Sequence, residues 1–256
     1  MKLCARAFFV LLLLASPAQA LTSSVLSDAL LSDKGGNEYR TLKLDPRVQK
    51  LELHWRDSSG NALRTFGALE QSLKAQKKTL LAATNAGIFT ADLAPLGLHL
   101  ENGKTLRPLN LKAGFGNFYL KPNGVFYFGP RGAGILESGR FVRFTRVFTK
   151  TVLEGATQSG PLLVRGGKIN PVFMPNSSNK LVRSGVGVSR SGKVYWVLSR
   201  GAVNFYDFAT FFRDTLKCPN ALFLDGTVSK FYIPGDKTAR DEGAGQFAGF
   251  LTVLER

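Results

Sequence analysis

Four short polar segments each combine a hydrogen-bonding or charged side chain with a glycine. They are Thr84-Asn85-Ala86-Gly87-Ile88-Phe89, Gln158-Ser159-Gly160-Pro161, Arg183-Ser184-Gly185-Val186-Gly187 and Leu224-Asp225-Gly226-Thr227-Val228-Ser229. Three of them adjoin β-type apolar runs at Leu80–Ala83, Val186–Val188 and Ala221–Leu224. Glycine permits positive φ and close backbone approach, so such segments turn sharply and present their polar side chain at a strand end. Together an amide, a hydroxyl, a guanidinium and a carboxylate would furnish one pocket. Asp225 supplies a carboxylate able to act as an acid or base, with capping of the following turn as the alternative. Arg183 offers a planar fork to an anionic group, with a structural salt bridge as the alternative. Asn85, Gln158, Ser159 and Ser229 suit hydroxyl or phosphate oxygens, and stabilising their own turns is an equal alternative for these four.

The elements that must hold these segments are mostly strands. Leu42, Leu44, Val48, Leu51, Leu53 and Trp55 recur at strand-like intervals from Tyr39 onward. Phe66–Lys78 reads as a helix, with Leu69 and Leu73 four apart. Hairpins are expected about 121–124, 137–140 and 189–192, where turn residues separate apolar runs. A second helix is expected from Asn204, as N-cap, to Leu216, with Phe205, Phe208, Phe212 and Leu216 as its buried stripe. A last strand spans Phe247–Leu254. No repeat or Gly/Pro-rich linker divides this pattern. The expected architecture is α+β: a single β-rich domain of twisted mixed or antiparallel sheet with a few helices packed on it.

The chain begins with Lys2 and Arg6, a short apolar core over Ala7–Ala15 and a small-x-small Ala18-Gln19-Ala20. This pattern predicts a signal peptide over residues 1–20, cleaved after Ala20, and hence a periplasmic or secreted product. The apolar stretch is shorter than the roughly 20 residues of a membrane span, and no later one competes, so no integral membrane segment is expected after cleavage. Residues 21–38 read as a loosely ordered lead-in and 39–256 as the functional domain. Loss of Lys2 and Arg6 takes the formal charge from +16 to +14. That excess favours anionic surroundings, but basic residues are scattered and no nucleic-acid motif occurs, so no nucleic-acid partner is expected. Cys4 departs with the leader, leaving Cys218 as a small buried apolar residue.

Several chemistries are excluded on residue type. With one mature cysteine, and with His54 and His99 outside metal-ligand spacing, the sequence predicts no metal site of thiolate or His-Glu-x-x-His type. No cofactor is predicted; a divalent cation held by distant oxygens stays open. The nucleophile-elbow pattern is missing around Ser159 and Ser229.

In order and approximate spacing, Asn85-x-Gly87-x-Phe89, Gln158-Ser159-Gly160-Pro161, Arg183-x-x-x-Gly187 and Leu224-Asp225-Gly226 resemble the phosphodiester glycosidase domain, over roughly residues 80–255. Gly97–Gly103, Gly116–Tyr119 and Cys218–Gly226 look like its bacterial exported branch. The chain departs from the family's common Asn-Gly-Gly at Ala86 and from its glycine-rich Asp-Gly-Gly-x-Ser at Thr227-Val228. The resemblance implies an exported hydrolase of a glycosyl-phosphodiester linkage in a cell-envelope or exopolysaccharide substrate, with a phosphorylated or anionic carbohydrate as partner. It places Asp225, Arg183 and Glu101 as catalytic residues, and Asn85, Gly87, His99, Gln158, Ser159, Gly160 and Ser229 against substrate. The alternative is a non-catalytic module that binds anionic glycan. Oligomeric state is not legible in the sequence.

Overall fold

A computed structural model of the chain describes residues 26–147, 153–226, 228–236 and 245–256. The expected leader lies outside the described residues. Among the described residues sixteen strands form three sheets. The first contains β1 (Ser27–Ser32), β2 (Glu38–Leu44), β10 (Leu162–Arg165), β11 (Lys168–Ile169), β12 (Ser184–Val188), β13 (Val194–Ser199) and β14 (Asn220–Asp225), in the order β1-β2-β13-β12-β14-β10-β11. The second contains β3 (Lys50–His54), β4 (Leu80–Asn85), β15 (Phe231–Tyr232) and β16 (Phe250–Leu254), ordered β15-β4-β16-β3. The third contains β5 (His99–Glu101), β6 (Lys104–Arg107), β7 (Gly124–Gly129), β8 (Gly132–Glu137) and β9 (Gly155–Ser159), ordered β6-β5-β9-β7-β8.

Side-chain alternation explains how the sheets stack. One set of strand residues, including Leu42, Leu53, Ala82, Phe126, Val186, Trp196, Leu222 and Leu251, meets in a core shared by all three sheets. The intervening residues point outward, and each outward face is covered by one helix. Helix α1 (Phe66–Ala75) sets Phe66, Leu69 and Leu73 on Ala83, Phe250 and Leu254. Helix α2 (Ser138–Val147) sets Phe141 on Val125 and Ala156. Helix α3 (Phe205–Thr210), continued by a π-helical turn at Phe211–Thr215, sets Phe208 and Phe212 over Val164, Val197, Ala221 and Phe223. Asn204 caps α3 by accepting the Asp207 amide at 2.8 Å, as its position predicts. Cys218 is free and buried in this layer, where burial pushes its thiol up to about 12.

Three local expectations fail for identifiable reasons. Residues 27–32, weakly patterned in sequence, form edge strand β1, because pairing with β2 uses backbone groups and asks little of side chains. Leu136 and Phe141 do not belong to one hairpin. Instead β8 folds back on β7 across Pro130-Arg131, and Ser138 begins α2, whose Phe141 and Phe144 pack around Tyr127 at 5.8 and 5.1 Å between centroids. Residues 117–119 make a 3₁₀ turn, held by the Asn123 amide on the Phe118 carbonyl at 3.0 Å, so they pair with no strand. The hairpin about 189–192 forms as expected between β12 and β13.

Candidate active site

The four polar segments meet at one end of the molecule. Asn85 ends β4, Ser159 ends β9, Asp225 ends β14, and Ser184, beside it in register, begins β12. Each of the three sheets therefore contributes a strand end. Two chains of hydrogen bonds close around Asp225. In the first, the buried Asn85 Oδ1 accepts the Lys230 amide at 3.1 Å. The neighbouring Ser229 hydroxyl meets the Ser184 hydroxyl at 2.7 Å, and Ser184 Oγ donates to the Asp225 carbonyl at 3.4 Å. In the second, the Gly87 amide donates to Thr157 Oγ1 at 3.3 Å and the Ile88 amide to Ser159 Oγ at 3.4 Å. Ser159 Oγ in turn donates to the Leu224 carbonyl at 2.8 Å.

Two glycines are required by this closeness. A Cβ on Gly87 would sit 2.4 Å from the Gln158 carbonyl oxygen, and one on Gly160 would sit 2.6 Å from the Phe118 carbonyl oxygen. Neither obstacle is a mobile side-chain tip. Both glycines act by letting chains touch.

Asp225 is the chemically distinctive group. Its side chain is only partly buried, and its Oδ1 accepts the Gly226 amide at 2.7 Å. Burial raises its pKa from 3.8 to about 6, and the Gly226 hydrogen bond only partly offsets that rise. Among the described residues no cation pairs with it. A carboxyl poised between acid and base near neutral pH, at a strand end, is suited to proton transfer.

Arg183 lies one residue before Ser184 and is fully buried. Its Nε donates to the Val203 carbonyl at 2.8 Å and its Nη2 to the Asn179 carbonyl at 3.0 Å, while the guanidinium stacks 3.7 Å over Phe205. Among the described residues it has no carboxylate partner, and Nη1 has no hydrogen-bond partner. Desolvation lowers its pKa to about 10, so it stays cationic at neutral pH. The expected open fork is thus, as placed, a fixed buried charge behind the strand ends.

Other expected site residues fall differently. Gln158 spends its whole amide on scaffolding: Oε1 accepts the Leu98 and Asn110 amides at 3.0 and 2.8 Å, and Nε2 donates to the Asn110 carbonyl at 2.7 Å and Ser138 Oγ at 3.1 Å. No capacity is left for substrate, so its expected substrate contact is corrected to loop positioning. His99 and Glu101 form a pair, Nε2 to Oε1 at 2.7 Å. Glu101 pairs in register with Gly155, four residues before Ser159 on β9, which sets it back from the Asp225 end by roughly 13 Å at 3.3 Å per residue. His99 sits at the level of Thr157, buried behind Ala86 and Gly249. Ser184 and Thr157, which hold the strand ends together, were not singled out in sequence; Ser184 lay inside the Arg183–Gly187 segment, whereas Thr157 had no signal. Thr227, and residues 237–244, lie outside the described residues. Among the described residues no three His, Cys, Asp or Glu side chains gather as a metal site, and no helix is long and apolar enough to cross a membrane.

Comparison with known proteins gives the family and the fold. The protein YigE of Escherichia coli (strain K12), itself uncharacterized, is 36% identical over 230 residues, 90% of this chain and 85% of its own. The catalytic domain of zebrafish N-acetylglucosamine-1-phosphodiester alpha-N-acetylglucosaminidase, solved as auto-inhibited by its pro-peptide, superposes with a TM-score of 0.61 at 16% identity, covering 91% of this chain and 83% of that one. A hypothetical protein from Synechocystis superposes with a TM-score of 0.55 at 16% identity, covering 90% and 61%. At such identities the two structures speak to fold alone. The phosphodiester glycosidase family model matches residues 78–246, a span that takes in all four strand-end segments, and the chain therefore belongs to the phosphodiester glycosidase family.

Proposed function

We propose that this chain is a hydrolase that cleaves the C1–O bond of a glycosyl phosphodiester, with Asp225 as its acid–base group. The observation that carries the reading is the Asp225 carboxyl, without a cation partner among the described residues, raised to about 6 by burial and ringed by hydrogen-bonded strand ends. A sugar joined through C1 to phosphate already has a good leaving group. The protein's work is then to stabilise an oxocarbenium-like centre and to activate water. In the proposed step the C1–O bond breaks with its electron pair going to the phosphate oxygen. Water adds to C1, and its proton passes to the Asp225 carboxylate. The buried Arg183 charge, anchored one residue before β12, favours the growing negative charge on the phosphate without touching it. The leader pattern and the excess of positive charge, +16 with the leader and +14 without it, support export and an anionic substrate of the cell envelope or exopolysaccharide.

The test is turnover of a panel of sugar-1-phosphodiesters in oxygen-18 water. Release of free sugar carrying the label at C1, with Asp225→Asn slower by at least about 100-fold, is the expected result. Label in the phosphate product would mean P–O cleavage and overturn the proposal. Binding of the esters without any turnover would instead support a non-catalytic anionic-glycan module.

A further inference from the structure

A second site lies at the other end of the same sheet. From Ser184, β12 runs away from Asp225 to Val188 and the β12–β13 turn, roughly 17 Å of strand. There a cleft of about 770 Å³ opens between the outward face of β1, β2 and β13, the turn at 189–191 and the end of the π-helical turn. Its volume is in the range of small-ligand sites. Thr41, Lys43, Arg190, Ser191, Tyr195 and Lys217 line it, and none of the residues lining it is acidic. Register places Lys43 opposite Tyr195, and Thr41 opposite Val197, on one face of the sheet.

Two independent observations point to a ligand. Among the described residues Lys43, Arg190 and Lys217 join no ion pair, whereas the acids nearby in sequence are already neutralised. Asp45 is held by Arg47 and Lys193, and Asp214 by Arg213. Thr41, only 3% exposed, has a hydroxyl with no hydrogen-bond partner among the described residues. A buried unpaired hydroxyl is unfavourable where valine would serve the packing. In a cleft lined otherwise by Lys43, Arg190 and Lys217 and by further hydroxyls, that donor suits an oxyanion or a sugar hydroxyl.

We infer that this cleft is a non-catalytic binding site for an anionic glycan, recognised by cations for its charged groups and by hydroxyls for its sugar oxygens. A glycan fits better than nucleic acid, because Tyr195 is the one aromatic lining residue and base stacking uses successive aromatic platforms. The inference does not depend on the hydrolytic reading, since its ligand needs no phosphodiester. Such a site would hold a polymer on the protein while its other end is free.

The experiment is fluorescence anisotropy of the purified protein with labelled dextran sulfate, and with neutral dextran of equal length, at 150 mM NaCl. Dextran sulfate should bind and neutral dextran should not. Lys43→Glu/Arg190→Glu/Lys217→Glu should weaken binding at least about tenfold. Lys104→Glu/Arg140→Glu/Arg143→Glu, in β6 and α2 outside the cleft lining and of equal charge change, should weaken it less than threefold. Thr41→Val, which preserves shape and removes the unpaired hydroxyl, should weaken it about threefold while the melting temperature rises. Equal losses in the two triple variants would reduce the effect to net charge and overturn the site. So would displacement of dextran sulfate by single-stranded DNA at matched charge concentration.

Discussion

Replacing Asp225 with asparagine should make the protein more stable as it makes it inactive, and the gain should depend on pH. The carboxyl of Asp225 has an ordinary pKa of 3.8 in the unfolded chain and about 6 in the folded one, raised by burial. A raised acid favours the protonated folded state. Its contribution is therefore fully present below pH about 4 and is lost as pH rises through 6. At 1.36 kcal/mol per pKa unit, the span from 3.8 to about 6 corresponds to about 3 kcal/mol. Asparagine keeps an oxygen that can accept the Gly226 amide, now at 2.7 Å, and carries no charge to desolvate. Urea unfolding of both proteins at half-unit steps from pH 4 to pH 8 measures the difference. The variant should lie close to wild type at pH 4 and about 3 kcal/mol above it at pH 8, with the change centred between pH 4 and 6. A pH-independent difference, or a wild type that gains relative stability with rising pH, would show that Asp225 is not the desolvated carboxyl described here. Its role as proton acceptor would lose its physical basis.

Two further outcomes test the scaffold of the site. Gly87→Ala should destabilise by about 3 kcal/mol, since its Cβ would meet a backbone oxygen at 2.4 Å. By contrast Gly67→Ala in α1, with nothing within 4 Å, should stabilise by about 0.5–1 kcal/mol; thermal melts of the pair give both signs. Gln158→Leu should lower stability by more than about 3 kcal/mol, because the Leu98 and Asn110 amides and the Asn110 carbonyl lose their partner. Hydrogen exchange should then quicken at Leu98 and Asn110 before the rest of the sheet.

Much of the fold can be read from local pattern. The α1 and α3 stripes, the Asn204 cap and the β12–β13 hairpin follow from spacing alone, because each is decided by residues within a turn or two of one another. Residues 137–144 cannot be read this way. Phe141 and Phe144 fit either period over so short a stretch, and the decision rests on Tyr127, which belongs to another strand. Edge strand β1 is silent for a different reason: the backbone of β2 recruits it, and its own side chains are mostly exposed.

At the site, residue type and order identified the segments, since a strand ending in a polar residue beside glycine is a local property. The linear chain thus determined the family, the four strand-end segments and Asp225 as a group able to carry a proton. Tertiary structure alone decided what each polar side chain is free to do. Gln158 is consumed by the 110 loop, Arg183 is sealed over Phe205, Glu101 is held back beside His99, and Asp225, among the described residues, keeps a carboxyl with no cation beside it. Hydrogen-bonding capacity and desolvation depend on neighbours brought from far along the chain, and those neighbours exist only once three sheets have packed on one core.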